Sequence, residues 1–337
     1  MGWNRFLRKD RIGLGEISGE YHTSFGTKRA PGSDASPKIS RHWDLQIRSL
    51  LMSGPDETLQ EHFFGRDHVT IIERQKGWRG LDLKEIWAYR ELAWVLVARD
   101  IKVRYKQTVL GAVWAFIQPL ATMLLFSLVF GRLAKIPSDG FPYPIFVFAG
   151  LLPWTFFANA LTASSNSLVG QQQLISKVYF PRLIIPLSSV GAGLVDFAIS
   201  LLIMLALMLY FGVGWSLHML AVPLLIVAVI FIALGVGTLL SALTVTYRDF
   251  RYVIPFMVQF WMYATPVIYP ASLFPQKWQW ILYLNPMAGL IEAFRSAFLG
   301  RTFDSHGIGI SALSAVGIFL LGVFYFEKME RRFADII

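Results

Sequence analysis

Long stretches without any Asp, Glu, Lys or Arg, three of which precede residue 248, constrain this chain more than any other feature. These three cover residues 107–131, 140–176 and 197–247. A helix of about 20 apolar residues crosses the hydrocarbon core of a bilayer, so each of the first two stretches is long enough for one crossing. The third is long enough for two, and the turn-forming segment YFGVGW at 210–215 divides it. Because lipid offers the backbone no hydrogen bonds, these stretches predict an all-α polytopic membrane protein.

The charged residues are concentrated near the N-terminus. Only 16% of the 337 residues are charged, against about 25% in a typical soluble domain. The first 90 residues hold 15 of the 31 Lys and Arg and 12 of the 22 Asp and Glu. The net charge is +9, but the cations flank apolar runs, so we expect no nucleic-acid partner. The chain has no Cys, which excludes disulfides and thiol chemistry.

Six membrane-spanning helices are expected from these runs and from the apolar segments after them. Their ranges are 109–131, 144–165, 186–211, 217–245, 252–269 and 307–326. With both termini in the cytosol, eleven Lys and Arg from residue 91 onward lie on the cytosolic side and five, including Arg295, on the outer side. The positive-inside rule favours this orientation.

The chain is therefore expected to have four parts. Residues 1–70 form a cytosolic extension rich in Gly, Ser and Pro with mixed charges, which we expect to be poorly ordered. Residues 71–107 form a cytosolic segment with an amphipathic helix, 108–330 the transmembrane domain and 331–337 a cytosolic tail. The N-terminus lacks the continuous apolar stretch that is typical of a signal peptide.

The segment RDIKVRYKQTVLGAVWAFIQPL, residues 99–120, joins a basic stretch directly to an apolar one. At 100° per residue, one helical face carries Trp94, Val97, Ala98, Ile101 and Tyr105. The flanks of that face carry Arg99, Lys102, Arg104 and Lys106. This pattern predicts a helix in the cytosolic membrane interface whose cations attract lipid phosphates. The alternative is a basic flank that only sets the topology.

The segment between the second and third spans is longer than a simple turn requires. It reads SLVGQQQLISKVYFPRLIIP, and we expect a short helix that ends near Pro181. Its candidate partner-facing residues are Leu168, Leu174, Ile175, Lys177, Val178 and Tyr179. The alternative is a helix that rests on the membrane surface.

Residues 271–300 are apolar enough to enter a membrane but are interrupted by Pro residues. We expect two short helices, broken at Asn285-Pro286, that enter the outer leaflet and return between the fifth and sixth spans. Such broken helices are tolerated at depth only where protein or a water-filled cavity satisfies the freed backbone groups.

Asp196 is the only ionisable residue expected deep in a span. Its position, about ten residues into the third span, predicts a depth near the bilayer centre. Because no other charge is expected at that depth, a direct salt bridge is not predicted, and Gln118 or Gln259 are candidate partners. Coupling to an ion gradient is disfavoured, since transporters of that kind usually carry several such groups.

The chain lacks the motifs of nucleotide-binding and hydrolytic enzymes. It contains no G-x-x-x-x-G-K-[ST], no H-E-x-x-H and no G-x-S-x-G, and its six His show no metal-ligand spacing. We therefore expect no catalytic site, cofactor or metal in this chain, and an energy source in another subunit.

Four segments resemble a known family. They are YRELAWVLVARDIKVRYKQTVLGAVWAFIQPL, FAGLLPWTFFANALTASSNSLVGQQQLISKVYFPRLIIP, SALTVTYRDFRYVIPFMVQFWMYATPVIYP and LNPMAGLIEAFR. Over residues 70–330 the chain resembles the permease subunit of type-2 ABC exporters, nearest those that export O-antigen, capsular polysaccharide or teichoic acid. The N-terminal extension departs from many relatives.

The resemblance implies a homodimer with two cytosolic ATPase subunits, which bind ATP and Mg, in the inner membrane of a bacterium. It implies a lipid-diphosphate-linked polysaccharide as cargo, moved from the cytosolic to the outer face. The helix that matches Leu168–Tyr179 would dock on the ATPase, and Arg99, Lys102, Arg104 and Lys106 would meet the diphosphate. Candidate aromatic residues for a sugar-binding channel are Trp114, Trp154, Phe157, Trp261, Tyr263 and Tyr269; interfacial anchoring is the alternative for each.

Two other functions fit part of the pattern. The permease of a type-2 ABC drug or haem exporter would have a similar basic helix and cytosolic loop. A membrane glycosyltransferase or acyltransferase would place acidic or His residues near the membrane face, where this chain has only Arg248-Asp249-Arg251 and the basic helix.

Overall fold

The computed structural model describes residues 83–106 and 111–336, and these form helices joined by turns, with no strand among them. The expected N-terminal extension, residues 1–70, lies outside the described residues. The helices are α1 (Leu83–Ala88), α2 (Arg90–Lys106), α3 (Gly111–Phe126), α4 (Tyr143–Gly170), α5 (Gln172–Lys177), α6 (Ile184–Tyr210), α7 (Val222–Thr246), α8 (Phe250–Ala264), α9 (Gln279–Tyr283), α10 (Pro286–Leu299) and α11 (Ser305–Ile336).

Within residues 83–106 and 111–336, five helical segments are long and apolar enough to cross a membrane. They are Val113–Leu133, Tyr143–Gly170, Ile184–Tyr210, Leu217–Thr246 and Ser305–Glu330. In the first, a π-helical stretch, Ser127–Leu133, continues α3, and in the fourth a 3₁₀ turn precedes α7. These five agree with five of the six expected spans within a few residues.

The remaining expected span, 252–269, is only partly helical. α8 ends at Ala264, and its 15 residues are about 22 Å long, short of the ~30 Å hydrocarbon core. Pro266 and Pro270 follow, and proline has no N–H with which to continue a helix.

α4 lies at the centre of the packing. Within its most apolar stretch, 78% of the residues are buried, against 6% for the segment that includes α3. α4 packs on α6, α7 and α10, and α7 packs in turn on α11. A β-carbon added at Gly322 of α11 would lie 1.9 Å from the carbonyl oxygen of Gly235 in α7, so only glycine allows this close approach.

A second buried cluster joins the α5 end of the bundle. It contains Leu96 of α2, Leu168 of α4, Ile175 of α5, Ile184 of α6 and Phe333 of α11. Five helices therefore share one small core, which fixes α2 and α5 against the ends of the long helices.

The segment between α8 and α11 has the break that the sequence predicts. α9 and α10 are separated at Leu284 and Asn285, and the Asn285 side chain accepts a hydrogen bond from the Met287 N–H as the N-cap of α10. An Asn N-cap followed by Pro at the first helical position is a strong helix start.

Candidate functional site

α2 packs directly on α6, which determines which of its faces is buried. Leu96 is 4% exposed, whereas Trp94 is 72% exposed. A β-carbon on Gly191 of α6 would lie 3.1 Å from Cγ2 of Val97, so the two helices are in close contact there. Leu96, which lies off the expected apolar face, is therefore buried, whereas Trp94 on that face is exposed. The position of α2 in the membrane interface stays a prediction.

Asp196 of α6 has two partners on α2. The Arg104 guanidinium donates to one carboxylate oxygen, and the Tyr105 hydroxyl donates to the other. The expectation of no salt bridge was wrong, because α2 runs along α6 and brings Arg104 to the same level as Asp196. Burial, together with the hydrogen bond to Asp196, raises the pKa of Tyr105 to about 12, so its phenol remains a donor at physiological pH.

Of the four cations expected to bind phosphate, two form ion pairs and two form none with the described residues. Arg99 is 2.8 Å from Asp100, and Arg104 is bound to Asp196. Lys102 and Lys106 are exposed and make no ion pair with any described residue. Only these two lysines therefore present an uncompensated charge on this flank.

The expected ATPase-facing residues also divide by burial. Leu168 and Ile175 are buried in the second cluster, and the partly buried Leu174 packs against it. Lys177, Val178 and Tyr179 are exposed, with Val178 at 51% and Tyr179 at 62%. We name the last three the α5 surface.

An anchor that the sequence did not suggest holds the loop after the α5 surface. The Arg182 backbone N–H donates to Oε1 of Glu330 at 3.1 Å, and its guanidinium donates to the Glu330 carbonyl. The same guanidinium lies 5.9 Å from the centre of the Phe333 ring. This loop is therefore attached to the C-terminal part of α11.

Two of the expected channel aromatics belong to the core of the chain. Trp154 is 3% exposed and Phe157 is not exposed. The Phe157 ring lies 5.5 Å from Trp154 and 5.1 Å from Trp261, in an edge-on arrangement with the latter. Within a single chain, both residues are therefore buried by the neighbours of α4, and a channel role for them stays a prediction. Trp114 of α3 is 57% exposed.

The other three expected aromatics line one open cavity, which we name the aromatic cavity. Its volume is about 810 Å³, within the range of small-ligand pockets. It lies between the end of α8 and α9. Its ring-bearing walls are Trp261, Tyr263, Tyr269, Phe274 and Trp278, and Asn285 adds an amide.

The turn from Thr265 to Ala271 contributes Tyr269 to the wall of this cavity, and Arg295 of α10 holds the turn. Arg295 is not exposed at all. Its Nη2 donates to the Val267 carbonyl at 2.6 Å, and its Nη1 donates to the Tyr269 carbonyl at 3.2 Å and to Oε1 of Glu292 at 2.9 Å. Arg295, which was counted among the outer cations, therefore has a buried charge that is paired with Glu292.

Further side chains bind the same turn. The Tyr143 hydroxyl donates to the Ile268 carbonyl at 2.7 Å, and Glu292 accepts from the Ala271 N–H at 3.0 Å. The Asn285 amide donates to Thr265 at 2.8 Å and accepts from Trp261 at 3.0 Å. The sequence signal for this site was an i,i+3 pair of opposite charges, Glu292 and Arg295, in an apolar segment.

Among the described residues, no three His, Cys, Asp or Glu side chains come together as a metal site. The arrangement offers binding surfaces: two free lysines, an exposed loop and an aromatic cavity.

Comparison with known proteins agrees with a transport role. Residues 91–299 match the family described as ABC-2 type transporter. Over 260 residues the chain is 31% identical to the O-antigen export system permease protein RfbA of Myxococcus xanthus, which covers 76% of this chain and 98% of that protein. A permease of the same name from Klebsiella pneumoniae is 29% identical over 73% of this chain and 95% of its own. The polysialic acid transport protein KpsM of Escherichia coli is 24% identical over 65% of this chain and 85% of its own.

The family match covers more than half of the chain, and the Myxococcus protein is matched over nearly its whole length. With five apolar helices of spanning length, this chain therefore belongs to the ABC-2 type transporter family, as a multi-pass permease subunit of the bacterial inner membrane rather than an enzyme.

Proposed function

We propose that this chain is the permease of an ATP-driven exporter that moves a lipid-diphosphate-linked polysaccharide from the cytosolic to the outer face. Membership of an ABC transporter family implies an ATPase partner. We propose two copies of that ATPase and two copies of this chain. The names of the relatives, which refer to O-antigen and polysialic acid, support a glycan as cargo.

In the proposed orientation both termini are cytosolic, and α2 lies in the cytosolic interface. α8 and the buried turn after it complete a sixth crossing, and α9 and α10 form the re-entrant pair at the outer side. Without the buried Arg295, the outer side keeps four Lys and Arg against eleven on the cytosolic side, which strengthens the charge asymmetry.

The observation that carries the proposal is the aromatic cavity. Aromatic rings have apolar faces and polar edges, and the C–H face of a sugar ring packs on such a face without a fixed hydrogen-bond pattern. Five rings around one open volume therefore suit a polymer of repeating sugars that must slide.

The entry step is assigned to Lys102 and Lys106. A diphosphate in the cytosolic leaflet carries charges that an ammonium group attracts, and no carboxylate in the described part of the chain forms an ion pair with either lysine. Arg104 instead positions α2 through Asp196.

Purification of the complete complex with its ATPase in native lipid nanodiscs tests the proposal. Mass spectrometry of the bound lipids should identify a glycan on a diphosphate lipid. Reversing both lysines, Lys102→Glu with Lys106→Glu, should lower the bound amount at least fivefold while the complex still assembles.

A matched control reverses two exposed cations elsewhere, Arg251→Glu with Lys328→Glu, and should retain the glycolipid. Recovery of haem or a drug-like amphiphile instead of a glycolipid would support the drug or haem exporter and overturn the proposal.

A further inference from the structure

The turn Thr265–Ala271 carries backbone groups that no helix can satisfy. α8 has ended before it, and the residues from Thr265 to Ile268 are buried. The carbonyl oxygens of Val267, Ile268 and Tyr269 all accept from side chains. Two of these three bonds come from Arg295, so one side chain satisfies two of the three carbonyl oxygens.

Burying an ion pair costs desolvation free energy that burying apolar side chains does not. Apolar side chains of similar volume are often as stable as a buried pair, because desolvation offsets the attraction between the charges. A pair that also binds neighbouring backbone groups has a different role, since it specifies where those groups lie. Arg295 and Glu292 bind carbonyls and an N–H of the same turn.

The surroundings of Arg295 leave no room for another arrangement. Its guanidinium carbon lies 3.9 Å from the centre of the Phe146 ring, which is also buried. A β-carbon at Gly150 of α4 would lie 3.0 Å from Arg295 Nη2 and 3.1 Å from the Val267 carbonyl oxygen. Both distances are shorter than ordinary van der Waals contacts. A side chain at position 150 would therefore press on both the Arg295 guanidinium and the Val267 carbonyl.

We infer that Arg295 and Glu292 are positioning residues for the aromatic cavity. They hold the turn that carries Tyr269, and they join the end of α8 to α10 as one body. When α8 moves, the cavity wall and α10 therefore move with it. The use of the cavity for sugar rests on the proposed function, whereas control of the wall by this pair does not.

The test measures how accessible the wall of the aromatic cavity is to a thiol reagent when no cargo is present. Because the chain has no Cys, Ile281→Cys places a single thiol in the cavity, and Lys177→Cys places one on the distant α5 surface. The rate at which a charged methanethiosulfonate reagent labels each thiol is measured on the purified full chain in detergent, where both sides are accessible.

Gly150→Ala inserts a methyl group at the contact of Arg295 with the turn and changes no charge. It should change the labelling rate of Ile281→Cys at least fivefold and that of Lys177→Cys less than twofold. Gly317→Ala, at a glycine with nothing within 4 Å, is the matched control and should change both rates less than twofold. An unchanged rate at Ile281→Cys, or equal changes at both thiols, would overturn the inference.

The double variant Arg295→Met with Glu292→Gln removes both charges together and so avoids an unpaired buried ion. It should be purified at near wild-type yield, and it should change the cavity labelling as Gly150→Ala does. Normal yield with unchanged labelling would show that the pair only fills space. Changed labelling with unchanged glycolipid retention in the complete complex would support the inference and contradict the proposed use of the cavity.

Discussion

Two ion pairs, one between α2 and α6 and one within α10, differ in how far their side chains are exposed to solvent. In the Arg104–Asp196 pair the side chains are 38% and 28% exposed, whereas in the Arg295–Glu292 pair they are 0% and 15% exposed. A partly exposed pair contributes about 0–1 kcal/mol, but breaking a buried one costs about 3–5 kcal/mol. The first pair therefore mainly orients α2, and the second is a condition for the local fold.

Substitutions at Asp196 separate its charge from its hydrogen bonds. Asp196→Asn retains an acceptor for Tyr105, so we expect a loss of about 1 kcal/mol or less in the free energy of unfolding. Asp196→Leu leaves both Arg104 and Tyr105 without this acceptor, so we expect a larger loss of about 1–3 kcal/mol. The thermal unfolding midpoint of the purified chain in detergent measures both.

Asp249→Asn, at an exposed carboxylate outside the helices, should leave the midpoint unchanged. Equal midpoints for the Asn and Leu variants at 196 would contradict the hydrogen-bonding role. Loss of transport in Asp196→Asn with a normal midpoint would show that the charge itself takes part in transport.

At the scale of elements, α2 is attached to α6 at two levels along its length, near Leu96 and Val97 and near Arg104 and Tyr105. Leu96 enters the second cluster with Ile184, Val97 meets Gly191, and Arg104 and Tyr105 bind Asp196. An amphipathic helix that only rested on lipid would have none of these contacts. We therefore expect α2 and the first half of α6 to move as a single body.

A disulfide between these helices tests that expectation. In Val97→Cys with Gly191→Cys, the new sulfur at 97 can occupy the Cγ2 position, 3.1 Å from the β-carbon position at 191, which suits a disulfide. We expect the pair to oxidise readily and the reconstituted exporter to keep at least half of its transport rate.

Trp94→Cys with Gly191→Cys is the control that should not crosslink, since Trp94 faces away from the core and is 72% exposed. If oxidation of the Val97 pair stopped transport and a reductant restored it, α2 would have to move relative to α6, and the rigid-body expectation would be wrong.

At the scale of the whole molecule, energy must come from another chain. The full sequence contains no phosphate-binding loop, so we expect the purified chain to hydrolyse no ATP. In the complete complex, Tyr179→Asp should lower transport at least fivefold, because it adds a charge to the α5 surface while its exposure spares the core. ATP hydrolysis and glycolipid transport in proteoliposomes measure these effects.

Val95→Asp, which adds the same charge at another exposed apolar site, is the control for the α5 surface. Unchanged transport in Tyr179→Asp would argue against ATPase docking there. Hydrolysis by the chain alone, free of contaminating subunits, would contradict the energy assignment.

The properties that follow from neighbouring residues were predictable from the sequence. The apolar runs predict five of the spanning helices because the thickness of the hydrocarbon core sets a length that can be counted along the chain. The break at Asn285 was predictable because its cap and the following Pro act within a few residues. The family resemblance was also visible in the sequence, because the segments that carry it follow one another in the expected order.

Only the tertiary structure decided which side chains meet. Arg104 and Asp196 are 92 residues apart, and their contact depends on how α2 lies against α6. Burial of Leu168, Trp154 and Arg295 likewise depends on which helices cover them, and an apolar or charged residue type does not specify its neighbour. α8 ends just before Pro266, which is a local signal, but the position of the turn after it depends on side chains of α4 and α10 that are distant in sequence.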